Sequence, residues 1–257
     1  MKRVISRLMR RKIFYGMWNQ LRKISLYGMN YGVASGYADY SGELFIIKYV
    51  KSNIMTQQRG GGVVFDIGAN VGDWSRFVID EYVDMDYNLY MFEPSRNAFE
   101  ALSKNIEASN GRHFHQIGFG DKREKIKIYY DNEAQGSAGA FIKNAKYSEE
   151  IDIDTIDNFC DSHNIEAIDF LKMDVQGYEL NILKGAKRML DGGNIKFIQF
   201  EFDEPNIENR VFFKDFWNLL QKNYDIYHSL YNGLIKIEKY HYELENFNCM
   251  NYLAIRK

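Results

Sequence analysis

Cysteine is scarce in this chain of 257 residues, which contains only Cys160 and Cys249. The two cysteines lie far apart and show neither metal-site nor redox spacing, so the sequence supports neither a disulfide framework nor a zinc site. A chain with so few cysteines is typical of a reducing compartment, and we expect a cytoplasmic protein.

Long hydrophobic runs are also missing, and no acidic residue precedes Asp39. No segment is apolar enough to span a bilayer, and arginines interrupt the N-terminal apolar residues too often for a secretory signal. Basic side chains alternate there with apolar ones at helical spacing, which predicts a basic amphipathic extension over residues 1–40. Three interpretations of this arm stand: a helix lying peripherally on the inner surface of a membrane, a helix packed on the rest of the chain or on a second subunit of a homo-oligomer, and a targeting peptide.

An excess of charge of one sign is absent from the whole chain, whose formal net charge is -2. This balance argues against DNA as a partner and against a nucleic-acid footprint over the whole protein. No internal repeat or low-complexity linker divides the sequence, and a hydrophobic content of 46% suffices for one substantial core. We therefore expect one domain over residues 41–257 after the extension.

Strand and helix patterns alternate along this domain, as a parallel α/β sheet requires. The clearest strands are predicted at residues 63–65, 89–92, 168–175 and 195–202. Weaker patterns predict an entry strand leading into a helix within residues 41–51, a third strand at 112–118, a half-exposed antiparallel strand at 121–130, a helix at 178–190, and a closing antiparallel hairpin around residues 226 and 252–255. Residues 132–145 are predicted to form a loop.

The segment VVFDIGANVGDW at residues 63–74 places a carboxylate and two glycines between a buried strand and a helix. Asp66 stands at the carboxyl end of that strand, where open α/β sheets bind ligands, and Gly68 and Gly72 let the backbone approach a ligand closely. A dinucleotide fingerprint would have a third glycine in place of Asn70 and would avoid a carboxylate beside a pyrophosphate. S-adenosylmethionine carries an ammonium and a sulfonium but no phosphate, so it suits this turn better.

A second carboxylate, Glu93, follows the next predicted strand and can accept hydrogen bonds from both hydroxyls of a ribose. Asp66 and Glu93 at the spacing of a strand–helix–strand unit thus predict one nucleoside site. The other residues expected to contact the cofactor lie near the same strand ends: Asn70, Trp74, Ser95, Phe119 and Asp121. The two aromatic rings offer apolar surface to an adenine, although core packing explains such residues as well.

Three ordered blocks, DIGANVGDW from Asp66, FEP from Phe92 and FLKMDVQGYELNILKGA from Phe170, resemble the FkbM family of class I S-adenosylmethionine-dependent methyltransferases. The likeness covers about residues 41–255. It implies a doubly wound, Rossmann-like sheet of seven mostly parallel strands and methyl transfer to a hydroxyl oxygen, usually of a sugar, a glycan or a natural product. Gln176 departs from the glutamate that the family often has in DVEG, which puts a metal or base role at that position in doubt.

Three residues are candidates for catalysis, because the acceptor hydroxyl must lose its proton. Asp174 ends the strand pattern FLKMD, Glu201 follows the next strand, and His228 lies in the C-terminal region. An unperturbed aspartate, with a pKa of about 3.9, is a weak base, so Asp174 would need burial, a late proton transfer, or a metal that acidifies the alcohol. Capping a helix or orienting the methionine part explains Asp174 equally well. Asp203 and Glu204 extend the acidic group, but such strand ends are usually solvated, and we predict no metal.

The main hypothesis is therefore an O-methyltransferase that uses S-adenosylmethionine and acts on a hydroxyl of a sugar, a glycan or another small metabolite. Two rivals remain. One is an RNA methyltransferase that holds phosphates with its basic arm, and the other is a non-catalytic partner protein that binds S-adenosylmethionine.

Overall fold

The structure, a computed structural model, describes residues 9–33, 38–55, 62–130 and 147–257. The helices are α1 (Tyr15–Gly28), α2 (Ala38–Ser41), α3 (Glu43–Met55), α4 (Asp73–Glu81), α5 (Arg96–Asn105), α6 (Ile156–His163), α7 (Glu179–Lys184), α8 (Lys187–Asp191), α9 (Pro205–Glu208) and α10 (Phe213–Leu220). The strands are β1 (Gly62–Ile67), β2 (Tyr87–Phe92), β3 (Arg112–His115), β4 (Gly118–Phe119), β5 (Glu124–Tyr130), β6 (Tyr147–Asp154), β7 (Ile168–Met173), β8 (Ile195–Phe202), β9 (Tyr224–Leu230), β10 (Gly233–Lys236) and β11 (Met250–Arg256). Two short 3-10 helices cover Lys12–Phe14 and Tyr242–Leu244.

The main sheet has the strand order β10-β9-β11-β8-β7-β1-β2-β3. Strands β3, β2, β1, β7 and β8 are parallel, whereas β11 runs antiparallel between β8 and β9, and β10 pairs antiparallel with β9. The predicted doubly wound, mostly parallel sheet with a C-terminal antiparallel hairpin is confirmed. Edge strand β10 is an eighth strand that the sequence patterns did not predict.

Helices cover both faces of this sheet. Phe65 of β1 faces one core, shared with α6, α7, α8 and α10, whereas its neighbour Val64 faces a second core, shared with α3, α4 and α5. Every residue of β7 is buried, because a parallel strand that is covered on both faces has no wet side. The strand ends that carry the predicted site are therefore held by a three-layer core.

The entry strand predicted within residues 41–51 is wrong, since this region is helical in α2 and α3. Ile46, Ile47, Val50 and Ile54 are all buried, and their three- and four-residue spacing places them on one face of α3. A short apolar run does not distinguish a buried strand from a helix, which is why the pattern misled.

A separate sheet with the order β4-β6-β5 accounts for one further difference and one agreement. The strand predicted at residues 112–118 is divided, because β3 joins the main sheet while β4 pairs with β6. Strand β5 is antiparallel to β6, as predicted. The predicted loop at residues 132–145 lies outside the described residues.

The helix predicted at residues 178–190 is divided into α7 and α8 at Gly185. A Cβ at Gly185 would lie 2.0 Å from the carbonyl oxygen of Gly120, so the chain passes too close for any other residue. The predicted N-terminal helical extension contains α1. Among the described residues, no helix combines the length and the apolar character needed to cross a membrane.

Candidate active site

The carboxyl ends of β1 and β7 form the switch point of the main sheet. The chain passes outward from β1 through β2 to β3 and later returns to place β7 on the other side of β1. The connections that leave these two strands run in opposite directions, which opens a crevice where α/β sheets bind ligands. The N–H of Asp174 donates to the carbonyl oxygen of Ile67 at 3.0 Å and ties the two strand ends together.

Gly68 begins the turn that follows β1. Its φ is +78°, and a Cβ would lie 1.9 Å from the carbonyl oxygen of Asp174, so only glycine fits between the two strand ends. The N–H of Gly68 donates to the carbonyl oxygen of Phe92 at 3.0 Å. Asn70 and Gly72 also have positive φ, at 49° and 93°. The turn is thus fixed against β2 and β7 before α4 begins.

Glu93, at the end of β2, is held by backbone N–H groups. Its Oε2 accepts a hydrogen bond from the N–H of Asn70 and its Oε1 one from the N–H of Ser95, both at 2.9 Å. Burial raises the pKa of Glu93 to about 7, although these two hydrogen bonds lower it. A carboxylate oxygen has two lone pairs, so Glu93 can still accept hydrogen bonds from a diol.

Asp66 is fully buried and already paired. The hydroxyl of Ser75 donates to its Oδ2 at 2.7 Å, and Lys172 Nζ lies 3.1 Å from its Oδ1. We expected Asp66 to receive a cationic ligand, but the cation that it holds is an ammonium group of the chain itself. The structure therefore places Asp66 beneath the crevice rather than at its surface.

Lys172, on β7, is a buried cation among carboxylates. Its Nζ lies 3.8 Å from Asp174 Oδ2 and 5.5 Å from the ring centroid of Trp74. Burial alone would lower the pKa of Lys172, but Asp66, Asp174 and Glu43 raise it more, so the ammonium stays charged. Sequence reasoning missed Lys172, although a lysine inside an otherwise apolar strand was a usable signal.

The two aromatic residues expected near an adenine lie in the core. Trp74 packs on Phe170 with ring centroids 5.4 Å apart, and Phe119 meets Phe92 edge-on at 4.8 Å. The side chains are buried, so neither ring presents an open face to a ligand, and core packing is the explanation that fits. Asp121, in contrast, is exposed just after β4.

Asp174 reaches the surface of the crevice, because 22% of its side chain is exposed. Its Oδ1 accepts a hydrogen bond from Gln176 Nε2 at 3.3 Å. Beneath this loop, Oε1 of the buried Glu179 accepts from the N–H groups of Val175 and Gly177 at 3.0 and 3.2 Å. Burial raises the pKa of Glu179 to about 8. Sequence reasoning missed this support, which holds the loop that presents Asp174.

Glu201 and Asp203 add negative charge at the end of β8. Glu201 is buried, and its Oε1 accepts a hydrogen bond from Cys249 Sγ at 2.7 Å. Burial, with Asp174 nearby, raises the pKa of Glu201 well above its usual value and that of Asp203 to about 7. Among the residues that the structure describes, no three His, Cys, Asp or Glu side chains are grouped to hold a metal ion.

His228 lies on β9 and contacts the N-terminal segment. Its Nε2 is 2.6 Å from the carbonyl oxygen of Met29, so this nitrogen carries a proton and only Nδ1 is left to act as a base. Burial lowers the pKa of His228. Its ring meets Tyr31 edge-on with centroids 4.9 Å apart. A catalytic role for His228 stays a prediction, while its structural role is visible.

Comparison with known proteins places this site within a recognised domain. A profile described as the methyltransferase FkbM domain matches residues 66–227. The hexuronic acid methyltransferase AglP of Haloferax volcanii is 22% identical over 161 residues, which cover 63% of this chain and 63% of that protein. The 2-O-methyltransferase NoeI of Sinorhizobium fredii is 24% identical over 162 residues, which cover 56% of this chain and 65% of that protein. The chain thus spans a little less than two thirds of the length of these relatives.

Among solved structures, the methyltransferase FkbM from Methylobacillus flagellatus aligns with a TM-score of 0.47 at 19% identity, over 76% of this chain and 43% of that chain.

Proposed function

This chain belongs to the FkbM methyltransferase domain family, and from that premise we propose that it is an S-adenosylmethionine-dependent O-methyltransferase acting on a hydroxyl of a sugar, a glycan or another small hydroxylated molecule. The names of two relatives support this acceptor class, since one is a hexuronic acid methyltransferase and the other a 2-O-methyltransferase.

The observation that carries the proposal is the charge of the switch point. The carboxylates of Asp66, Glu93 and Asp174 lie around it, and the buried ammonium of Lys172 is already engaged by two of them. A phosphate placed here would meet carboxylates first and would be repelled. A nucleoside with a sulfonium and an ammonium meets no such penalty, so the residues present fit S-adenosylmethionine.

Within this proposal, each part of the cofactor has a residue suited to it. Glu93 accepts the ribose hydroxyls, since backbone N–H groups fix its orientation. The turn at residues 68–72 offers backbone at close range to the methionine part. Asp174 receives the ammonium, and the exposed Asp121 receives the adenine amino group.

S-adenosylmethionine, when bound, supplies an activated methyl group. The chain must then align the acceptor hydroxyl, exclude water and accept a proton. Asp174 stands at the crevice, and burial raises the pKa of Asp203 to about 7, close to the working pH, which suits a general base. Glu201, with its pKa raised well above the ordinary value, keeps its proton and supports the site through Cys249.

The setting belongs to the same proposal: we place the protein in the cytoplasm, and the scarcity of cysteine supports this compartment.

Two measurements test the proposal. Calorimetry should show uptake of S-adenosylmethionine and none of ATP or NAD. Labelled methyl donor, incubated with sugar nucleotides, lipid-linked glycans and RNA in parallel, should label a sugar hydroxyl. The variants Asp174→Asn and Asp203→Asn should each lose turnover. The matched control is Asp152→Asn, which changes an exposed aspartate and should retain turnover. Tight ATP binding without uptake of S-adenosylmethionine would refute the cofactor, and label in RNA alone would refute the acceptor class.

A further inference from the structure

Helix α1 keeps its apolar side chains in water. No residue of α1 is buried, and Met17, Leu21 and Ile24 are 46%, 48% and 67% exposed. Their spacing of four and three residues places them on one face, here named the α1 stripe. Leu26 packs against the main core and lies about 140° around the helix from Leu21, at about 100° per residue. The α1 stripe therefore points away from the domain.

Aromatic and basic residues accompany the α1 stripe. Tyr27 is 68% exposed and lies about 60° around the helix from Ile24, and Trp18 lies beside the stripe with its Nε1 donating to the carbonyl oxygen of Met9. Residues 9–33 contain five cations and no acid: Arg10, Arg11, Lys12, Arg22 and Lys23. An apolar stripe with interfacial aromatic rings and uncompensated positive charge is the composition of a helix that lies on an anionic membrane.

The segment after α1 is bound to the carboxyl edge of the main sheet. Asn30 Nδ2 donates to the carbonyl oxygen of Ser229 at 3.1 Å, and the N–H of Gly32 donates to the carbonyl oxygen of Cys249 at 2.9 Å. The thiol of Cys249 in turn donates to Glu201, at the end of β8. Helix α1 is thus attached at the edge that carries the candidate active site.

We propose that α1 docks the protein on an anionic lipid bilayer, with the α1 stripe among the acyl chains and the flanking cations at the headgroups. The active-site edge then lies next to the membrane, where a lipid-linked acceptor presents its hydroxyl; this last consequence rests on the proposed function, whereas docking does not. A lipid surface fits better than RNA, because RNA would need the cations but not the exposed apolar stripe. A second copy fits poorly, because it would bring the same five positive charges to the contact.

Co-sedimentation of the full chain with vesicles tests the docking. Phosphatidylcholine vesicles containing phosphatidylglycerol should bind the protein, in a salt-sensitive manner, whereas pure phosphatidylcholine vesicles should bind it weakly. Arg22→Gln with Lys23→Gln should weaken binding about twenty-fivefold, since each cation near an anionic surface contributes about fivefold. Leu21→Gln with Ile24→Gln should weaken binding at least about tenfold, because two apolar side chains no longer leave water.

The matched control is Leu219→Gln with Ile235→Gln, which removes two exposed apolar side chains elsewhere, and it should bind vesicles like the wild type. Circular dichroism checks that α1 stays helical in each variant, and calorimetry with S-adenosylmethionine should give equal uptake in all of them.

Equal binding to both kinds of vesicle, or to neither, overturns the docking. A dimer that Leu21→Gln with Ile24→Gln dissociates, or RNA binding without vesicle binding, assigns the surface to another partner and also overturns it. Vesicle binding without uptake of S-adenosylmethionine refutes the proposed function alone.

Discussion

Replacement of Lys172 by methionine tests the buried charge network at the switch point. Methionine has a similar length and no charge, so the change removes the cation with little loss of volume. At an effective dielectric constant of about 20, the 3.1 Å contact with Asp66 amounts to about 5 kcal/mol and the 3.8 Å contact with Asp174 to about 4 kcal/mol before desolvation is subtracted. Removing one partner of a buried pair costs about 3–5 kcal/mol in practice, which we expect for Lys172→Met at neutral pH.

The loss of free energy of unfolding caused by Lys172→Met should depend on pH in a definite direction. Burial raises the pKa of Glu43, and Lys172 holds that pKa down. Without the cation the folded-state pKa of Glu43 rises further above its unfolded value, so folding of the variant is favoured at low pH and disfavoured as the pH rises. The difference in free energy of unfolding between Lys172→Met and wild type should therefore shrink as the pH falls.

Urea denaturation followed by circular dichroism measures these free energies. Asp66→Asn combined with Lys172→Met should recover much of the loss, because it also removes the stranded carboxylate. Lys48→Met is the control, since Lys48 is 55% exposed in its 3.3 Å ion pair with Glu81 and should cost less than about 1 kcal/mol. A cost for Lys172→Met as small as that of the control, or a cost that the double variant does not reduce, would refute the reasoning.

Three further predictions concern the same edge. Because burial raises the pKa of Glu93 to about 7 and ribose hydroxyls favour its ionised form, affinity for S-adenosylmethionine in calorimetry should rise as the pH increases through 7, and Glu93→Gln should bind weakly at every pH. Gly68→Ala should destabilise the fold by at least about 3 kcal/mol in urea denaturation, because its Cβ would collide with the carbonyl oxygen of Asp174 and its φ is positive, whereas Gly16→Ala in α1, with nothing within 4 Å, should be neutral or slightly stabilising. Because burial raises the pKa of Glu179 to about 8, wild-type stability should fall between about pH 4.5 and pH 8, and Glu179→Gln should show a flatter profile.

Each of these has an outcome that contradicts it. Affinity that is the same at every pH would exclude Glu93 from the ribose contact. A Gly68→Ala variant as stable as wild type would mean that the two strand ends can separate. A Glu179→Gln variant whose thermal midpoint follows pH as the wild type does would assign the dependence to other groups.

Much of the sheet could be predicted from the sequence because buried parallel strands are short, apolar and bounded by glycine or acids. Asp66, Glu93 and Asp174 were placed at one edge for that reason, and the structure brings them there. The strand predicted at residues 41–51 failed because periodicity in a short apolar run is ambiguous, and only the packing of α3 resolves it.

The properties of the individual side chains were harder to predict. Lys172 neutralises Asp66 across a strand register, and the raised pKa of Asp203 comes from burial, neither of which the sequence displays. Trp74 and Phe119 stand next to the predicted turns, but their backbone directions point the rings into the cores. The spacing of the acidic residues along the chain therefore predicted where the crevice lies. The contacts of their side chains with neighbouring strands, which the sequence does not display, determine the charge and the role of each side chain.

The contact between Gly68 and the carbonyl of Asp174 joins the two walls of the crevice at their base. The turn after β1 and Asp174, one on each side of this contact, are both proposed to hold the methyl donor, so a shift of one side relative to the other would misplace the methyl group. A substitution that separates the two strand ends should therefore lower turnover more than it lowers the affinity for either substrate.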